Sequence, residues 1–446
     1  MPRFDVLVVG GGSAGCVLAA RLSEGGRRVG LVEAGPDYGP YADGRWPDDM
    51  LDGRRLALSH AWETDREDRS QLRARILGGC SAHNACVMLA GAPADYDEWG
   101  HGWSHAAIAP HLERAERAMG VRRLTPAELS PWHRAFAEAG GSGAILHPVN
   151  ARGTVRWNAA FAYLDPARGR DNLTILADTL ADRVLLSGDR AVGVLTAAGE
   201  ELRAGSVVLA AGAYGSPGVL LRSGIGPDRG LPVGEGLCDH VGVGFGFAGT
   251  ERLRRETAEF ERAQPLFMAQ VTVAVASSAC APGLSDLFVF PGIDPGPEVS
   301  VAIFAMKPAS RGSVRLTASD PRAPLAIDHG FLRDAADAAV LAEGVEVVRR
   351  LAAEHPVRAY AGPEVRPGAA VAADAHVRTS ARGFFHPVAT CAIGRVVDGA
   401  GRVYGLDGLI VADASIMPTI PRANTNLSTI ALAERLAERI QALTPT

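Results

Sequence analysis

The stretch "FDVLVVGGGSAGCVLAARLSEGGRRVGLVEAG", residues 4–35, sets the architecture of this chain. Val6–Val9 reads as a short buried β run. Gly10, Gly12 and Gly15 follow as G-x-G-x-x-G, and Val17, Leu18 and Leu22 then recur at helical spacing. Val29–Val32 reads as a second strand that ends in Glu33. In such a unit the glycines give a tight turn, close backbone approach to a pyrophosphate and close helix–strand packing. The helix N-terminus offers free N–H groups to phosphate. Glu33 lies 18 residues beyond Gly15, where a carboxylate can accept hydrogen bonds from an adenosine ribose. A dinucleotide site is therefore expected on Gly10, Gly12, Ser13, Ala14, Gly15, Glu33 and Ala34. Flavin and nicotinamide proteins share this unit, so it alone does not choose the cofactor.

The rest of the chain narrows the class. At 446 residues it is long enough for two or three interleaved domains, and its 47% hydrophobic and 21% charged content is that of a well-cored globular protein. A net charge of −5 with no basic block argues against nucleic acid or an anionic membrane surface as a partner. Every basic residue except Lys307 is arginine, which reads as a coding bias. The six cysteines (16, 80, 86, 238, 280, 391) form no C-x-x-C pair, so neither structural zinc nor a disulfide framework is expected. The apolar run after Arg3 is too short for a signal peptide, and nothing approaches the roughly 18 apolar residues of a membrane span. A cytoplasmic protein is expected.

Three later stretches choose the cofactor. They are "ILGGCSAHNACVMLAG" (76–91), "GAYGSPGVLLRSGIG" (212–226), and the pair "FFHPVATCAIG" (384–394) with "GLIVADASIMPTIPRANTNLSTIALAERLAERI" (408–440). In this order they resemble the two signatures and the catalytic block of the glucose–methanol–choline (GMC) oxidoreductases. "LPVGEGLCDHVG" (231–242) and "KPASRGSVRLTASDP" (307–321) add lesser echoes. The resemblance spans nearly the whole chain.

It implies an α/β plus α+β fold, with an FAD-binding Rossmann-like domain interleaved with a substrate domain on an antiparallel sheet, as in p-hydroxybenzoate hydroxylase. Residues 1–100, 150–230 and 395–446 would form the FAD domain, and 101–149 and 231–394 the substrate domain. FAD would then also meet Gly78, Gly79, Ser81, His83, Asn84, Ala85 and Cys86, Val184 beside the adenine, Ala211 and Gly212, Asp413 and Ala414, and Asn424 and Thr425. The chain is shorter than most members in 101–150 and 240–305, which implies a trimmed cap, a more open pocket and a bulkier substrate.

Alcohol oxidation needs a base for the hydroxyl proton while the α-carbon gives hydride to the flavin, and neutral histidine suits this near pH 7. By resemblance the base is His386, and Asn424 is its partner on the substrate oxygen. Ile393 and Ala389 replace residues that are usually methionine and glycine, which implies an altered pocket shape. The run "NTNLSTIALAERLAERI" reads as an amphipathic helix with Glu434, Arg435, Glu438 and Arg439 on its polar side and Asn424 or Asn426 as its cap. "GGCSAHNACV" is similar to the flavin-attachment stretch of choline oxidase, so His83 is a candidate covalent anchor for FAD.

The remaining titratable groups carry blander readings. His240 reads as structural, and Asp95, Asp97 and Glu98 as a solvated helix start. His101 and His105 stand at i, i+4 but lack the glutamate and third ligand of a zinc site, so no metal is expected. No G-x-S-x-G elbow supports hydrolase chemistry. The expected function is oxidation of a small-molecule alcohol to the aldehyde or ketone, with O2 or another acceptor reoxidising FAD. An FAD-containing lyase of the hydroxynitrile-lyase type is the alternative. Choline is disfavoured as substrate, because no aromatic cage is evident in 240–305.

Overall fold

The computed structural model describes residues 4–62, 71–292 and 298–442. The expected FAD domain thus has 1–3, 63–70 and 443–446 outside the described residues, and the expected substrate domain 293–297.

The N-terminal stretch folds as its glycines and apolar runs dictate. Strands Phe4–Val9 and Val29–Val32 flank helix Ser13–Glu24 and are almost wholly buried, as parallel strands covered on both faces must be. Five parallel strands run in the order Leu173–Leu176, Val29–Val32, Phe4–Val9, Glu201–Leu209, Leu409–Val411. Val9 pairs with Val32 and Leu209, and Leu209 with Val411, so these strands end level. That common edge carries Gly10, Glu33, Ala210–Gly212 and Asp413, and the carboxyl edge of a parallel sheet is where open α/β folds bind ligands. An antiparallel ribbon, Ala181–Ser187 with Arg190–Thr196, continues from the first half of Glu201–Leu209.

A second, antiparallel sheet runs Ala361–Arg366, Val241–Gly249, Glu298–Ala305, Leu287–Gly292, Val271–Val275, Ala144–Leu146. Its strand "VGVGFGFAG" alternates strictly. Val241, Val243, Phe245 and Phe247 join a core with Leu341, Val345 and Val348 of helix Ala335–Ala353. Gly242, Gly244 and Gly246 therefore fall on the opposite face.

Two expectations hold only in part, for reasons of packing. Trp103 and the residues Ile108, Leu112 and Ala115 of helix His105–Ala118 belong to the core of the parallel sheet, although 101–149 is expected in the substrate domain; Trp132, Phe136 and strand Ala144–Leu146 of the same stretch do lie with the antiparallel sheet. Helix Thr425–Ala442 keeps its expected apolar side buried and Glu438 exposed, with Arg435 and Arg439 half-buried, but helices Ser13–Glu24 and His105–Ala118 pack on it and bury the expected polar residue Glu434 as well. Glu434 is fully buried there, held by both oxygens on Arg21 at 2.9 Å and by Arg114 at 3.5 Å.

Candidate active site

A cavity of about 1060 Å3 lies between the carboxyl edge of the parallel sheet and the glycine face of the antiparallel sheet. Its wall includes Gly10, Gly12, Ser13, Ala14, Glu33 and Ala34, then Gly79, His83, Asn84 and Ala85. It continues over Ala211, Gly212, Asp413 and Ala414 to His386, Asn424 and Thr425. Residues scattered from 10 to 425 thus converge on one space. Its volume is at the upper end of ordinary ligand sites, about 300–1,000 Å3.

The wall suits a dinucleotide. A Cβ on Gly79 would stand 2.6 Å from Gly12 Cα, so two bare backbones touch beside the cavity. The N-termini of helices Ser13–Glu24 and Thr425–Ala442 meet there, tied by the Ser13 hydroxyl donating to Asn426 Oδ1 at 2.6 Å. Glu33 accepts from the N–H groups of Gly11 (2.8 Å) and Gly35 (2.7 Å), while burial raises its carboxyl to about 7. Asp413 accepts from Gly212 N–H and the Ser216 hydroxyl, stitching two signature stretches into one surface. These features fit FAD: close backbone for pyrophosphate, a carboxylate for ribose, and helix N-termini for developing negative charge.

At the far wall, four groups fix a proton. His240 Nε2 lies 3.0 Å from the Pro421 carbonyl oxygen, which can only accept, so Nε2 carries the proton. His240 Nδ1, left with a lone pair, lies 3.0 Å from His386 Nδ1, which must donate. Neutral His386 then has a bare Nε2, and the Asn424 amide N–H reaches it at 3.3 Å. Burial pushes His386 down to about 3 and His240 well below its usual value, so both are neutral near pH 7. Asp239 grips the same turn, accepting from His386 N–H at 2.9 Å, and burial raises it to about 7. Asp239, His240 and His386 place ligand-type atoms within 4.8 Å of one another. The imidazole nitrogens that face each other there already share a hydrogen bond.

Family models described as GMC oxidoreductase match residues 4–242 and 308–433. The chain belongs to the GMC oxidoreductase family. It is 32% identical to 5-(hydroxymethyl)furfural oxidase of Methylovorus sp. across 98% of both chains. It is equally identical to an oxygen-dependent choline dehydrogenase of Paraburkholderia phymatum, over 99% of this chain and 93% of the relative. Pyridoxine 4-oxidase from Mesorbium loti superposes with a TM-score of 0.86 at 27% identity, covering 99% of each chain. As a GMC oxidoreductase the chain is an FAD-dependent enzyme acting on CH–OH donors, and these relatives leave the lyase alternative without support.

Within the GMC site, five expected contacts are displaced from the wall. Gly15 serves packing, since a Cβ there would fall 1.7 Å from Gly10 O. Gly78 takes φ +92° and faces Asn158. Ser81 is buried, donating to Gly78 O and accepting from Ala159 N–H. Cys86 sits in a small core with Leu124, Val149 and Phe267. Val184 is buried within the ribbon, and Thr179, Leu180 and Ala181 form the wall in its place. Ala389 and Ile393 are core residues off the wall, so they leave the cavity's shape to others.

Neither asparagine caps the last helix. Asn424 Oδ1 has no partner, and Asn426 is taken up by Ser13 and Met88, which leaves the helix N–H groups free. His240, expected as structural, hydrogen-bonds His386, and Asp95, expected at a solvated helix start, is not solvated. Asp95 is fully buried, pairs with Arg422, and lies 3.3 Å from Lys307 Nζ. The same Lys307 donates to Ile420 O at 2.9 Å. This buried network holds the turn that carries Pro421 and Asn424; only the tertiary fold reveals it, since 95, 307 and 422 are remote in sequence.

Proposed function

We propose that this chain oxidises a primary or secondary alcohol with His386 Nε2 as the base and Asn424 as the group that holds the substrate oxygen. The carrying observation is the directed chain Pro421–His240–His386, which leaves one lone pair, on His386 Nε2, facing the cavity. FAD, when bound, supplies the hydride acceptor. His386 takes the hydroxyl proton on Nε2 as hydride departs, while the Asn424 amide N–H keeps the oxygen in place. Asp239 steadies the protonated imidazole from the side. The free N–H groups at Thr425 and Asn426 offset negative charge that develops at the cofactor. We also assign 1–100, 150–230 and 395–446 chiefly to FAD and 231–394 chiefly to substrate, in keeping with the two sheets. The short stretches 101–150 and 240–305 favour a bulky alcohol.

We infer that O2 is the acceptor, since the relatives above are named as oxidases or oxygen-dependent. His83 is the proposed covalent anchor. It lines the cavity, is 8% exposed, and is held neutral, down to about 4, by burial and by the Arg156 charge. A neutral imidazole is the form that can bond carbon. Cys16, Cys86, Cys238 and Cys391 are buried thiols, which accords with a reducing, cytoplasmic setting. Among the described residues no helix is long and apolar enough to cross a membrane.

The test is anaerobic absorbance of the flavin-loaded protein against a panel of primary and secondary alcohols, followed by air. Bleaching by an alcohol and rapid return of colour in air are expected. If no alcohol bleaches a fully loaded flavin, the redox assignment of His386 and Asn424 falls. Acid-precipitated protein should stay yellow and His83→Ala should release its flavin; a colourless wild-type pellet removes the covalent link.

A further inference from the structure

The glycine face of strand Val241–Gly249 is a floor on which larger side chains lie. Gly242 is covered by the Phe304 ring, Gly244 by the guanidinium of Arg382, and Gly246 by Arg366 with Glu298. A Cβ at 244 would stand 2.8 Å from Arg382 Nη2, so the guanidinium occupies space that any other residue there would contest. His376 Nε2 donates to Gly244 O at 3.1 Å and fixes this point of the strand. Arg366 is neutralised by Glu298 at 2.9 Å. Among the described residues Arg382 has no carboxylate and no side-chain hydrogen bond. The Ser300 hydroxyl, paired in register with Gly246, is likewise without a partner and lines the same cavity.

Along this strand the groups form a series. His240, beside His386, precedes Gly242, whose cover Phe304 stacks on Phe384 at 3.8 Å, and Phe384 in turn lies 4.4 Å from the His386 ring. Arg382 comes next, over Gly244. Gly244 lies four steps along the chain from His240, or about 13 Å at roughly 3.3 Å per residue. The acidic residues of the wall, Glu33 and Asp413, both lie across the cavity on the parallel-sheet edge.

We propose that Arg382 is the anion-recognising end of the substrate site, and that the substrate is an alcohol carrying a carboxylate beyond a flat apolar middle. The hydroxyl meets His386, the flat portion lies along Phe384 and Phe304, and the carboxylate meets the planar guanidinium, with the Ser300 hydroxyl as a second donor. Arginine matches a carboxylate with two parallel N–H donors. A cationic alcohol such as choline would meet a like charge there, the neighbouring Glu298 carboxylate being taken by Arg366. This proposal rests on the alcohol-oxidising function above and specifies its substrate class.

The flavin-loaded enzyme is to be compared on 4′-(hydroxymethyl)biphenyl-4-carboxylate and its methyl ester, by steady-state oxidation. Binding of the unreactive 4′-methylbiphenyl-4-carboxylate is followed separately through the flavin spectrum. The acid should be favoured in kcat/KM by about tenfold, the scale of a charge-assisted pair open to solvent. Arg382→Met should erase that ratio and weaken the unreactive carboxylate about tenfold, and Arg382→Lys should recover part of both. Equal kcat/KM for acid and ester, or a ratio unmoved by Arg382→Met, overturns the proposal. If the unreactive carboxylate binds through Arg382 while no alcohol bleaches the flavin, the anion site stands and the redox function falls.

Discussion

Replacing His240 by phenylalanine keeps an aromatic ring in place but removes the nitrogen that accepts from His386 Nδ1. The proton on Nδ1 then faces no acceptor, and the Pro421 carbonyl loses its donor as well. Leaving a buried donor unmade costs about 1–3 kcal/mol. His386 can escape that cost by moving its proton to Nε2. There the Asn424 amide, whose Oδ1 now has no partner, can turn and accept it at the distance its N–H presently occupies, 3.3 Å. The escaped form has no lone pair toward substrate. At about 1.4 kcal/mol per tenfold, losing 1–3 kcal/mol of bias leaves the basic tautomer about 5- to 150-fold rarer, and the rate of flavin reduction should fall by that factor. His386→Ala should cost more, about 10²–10⁴-fold, as loss of a general base does. The assay is anaerobic stopped-flow reduction at saturating alcohol, with flavin content and Tm as controls for folding. His240→Gln, whose amide oxygen can accept from Nδ1, should recover part of the rate. A His240→Phe enzyme with full flavin and a rate within threefold of wild type would refute the tautomer reasoning.

Further outcomes follow from the same residues. The rate of flavin reduction should rise with pH through about 7, as Asp239 ionises beside His386 and favours its protonated form. His386, titrating at about 3, should add no step between pH 5 and 9, and Asp239→Asn should flatten the profile. Because Asp239 is raised from 3.8 to about 7 on folding, the folded state holds the extra proton between those values, so its contribution to stability is present near pH 4 and lost by pH 7; a smaller acid-to-neutral fall in Tm for Asp239→Asn checks this. Asp95→Ala leaves the buried Arg422 guanidinium without its carboxylate, while Lys307 keeps Glu98 at 2.6 Å, and should destabilise the protein by about 3 kcal/mol in chemical denaturation, slowing reduction as the Asn424 turn loosens. Gly79→Ala forces a Cβ to 2.6 Å from Gly12 Cα at φ +52°, and the purified protein should carry markedly less flavin.

The sequence by itself determined the dinucleotide half and the family whose FAD-dependent alcohol chemistry the chain shares. The N-terminal strand–turn–helix–strand is local, its glycines are required by turn and packing geometry within a few residues, and Gly10, Gly12 and Glu33 stand at the cavity where spacing puts them. His386 and Asn424 were legible through resemblance, since their neighbours form recognisable blocks. The tertiary structure alone decided what those groups do to one another. The proton on His386 is directed by a carbonyl at 421 through a ring at 240, and no pattern of spacing links these positions. Helix polarity misled at Glu434, because burial was set by two helices from elsewhere in the chain that supply Arg21 and Arg114. Asp95 misled for the same reason: a carboxylate reads as solvated until its cations, hundreds of residues away, are brought beside it. The glycine alternation at 242–246 was visible as letters, but its meaning depended on strand 298–305 and the turn at 382, which lay Phe304 and Arg382 across it. Local geometry follows from adjacent residues, whereas proton direction, ion pairing and substrate charge are set by groups that only folding places in contact.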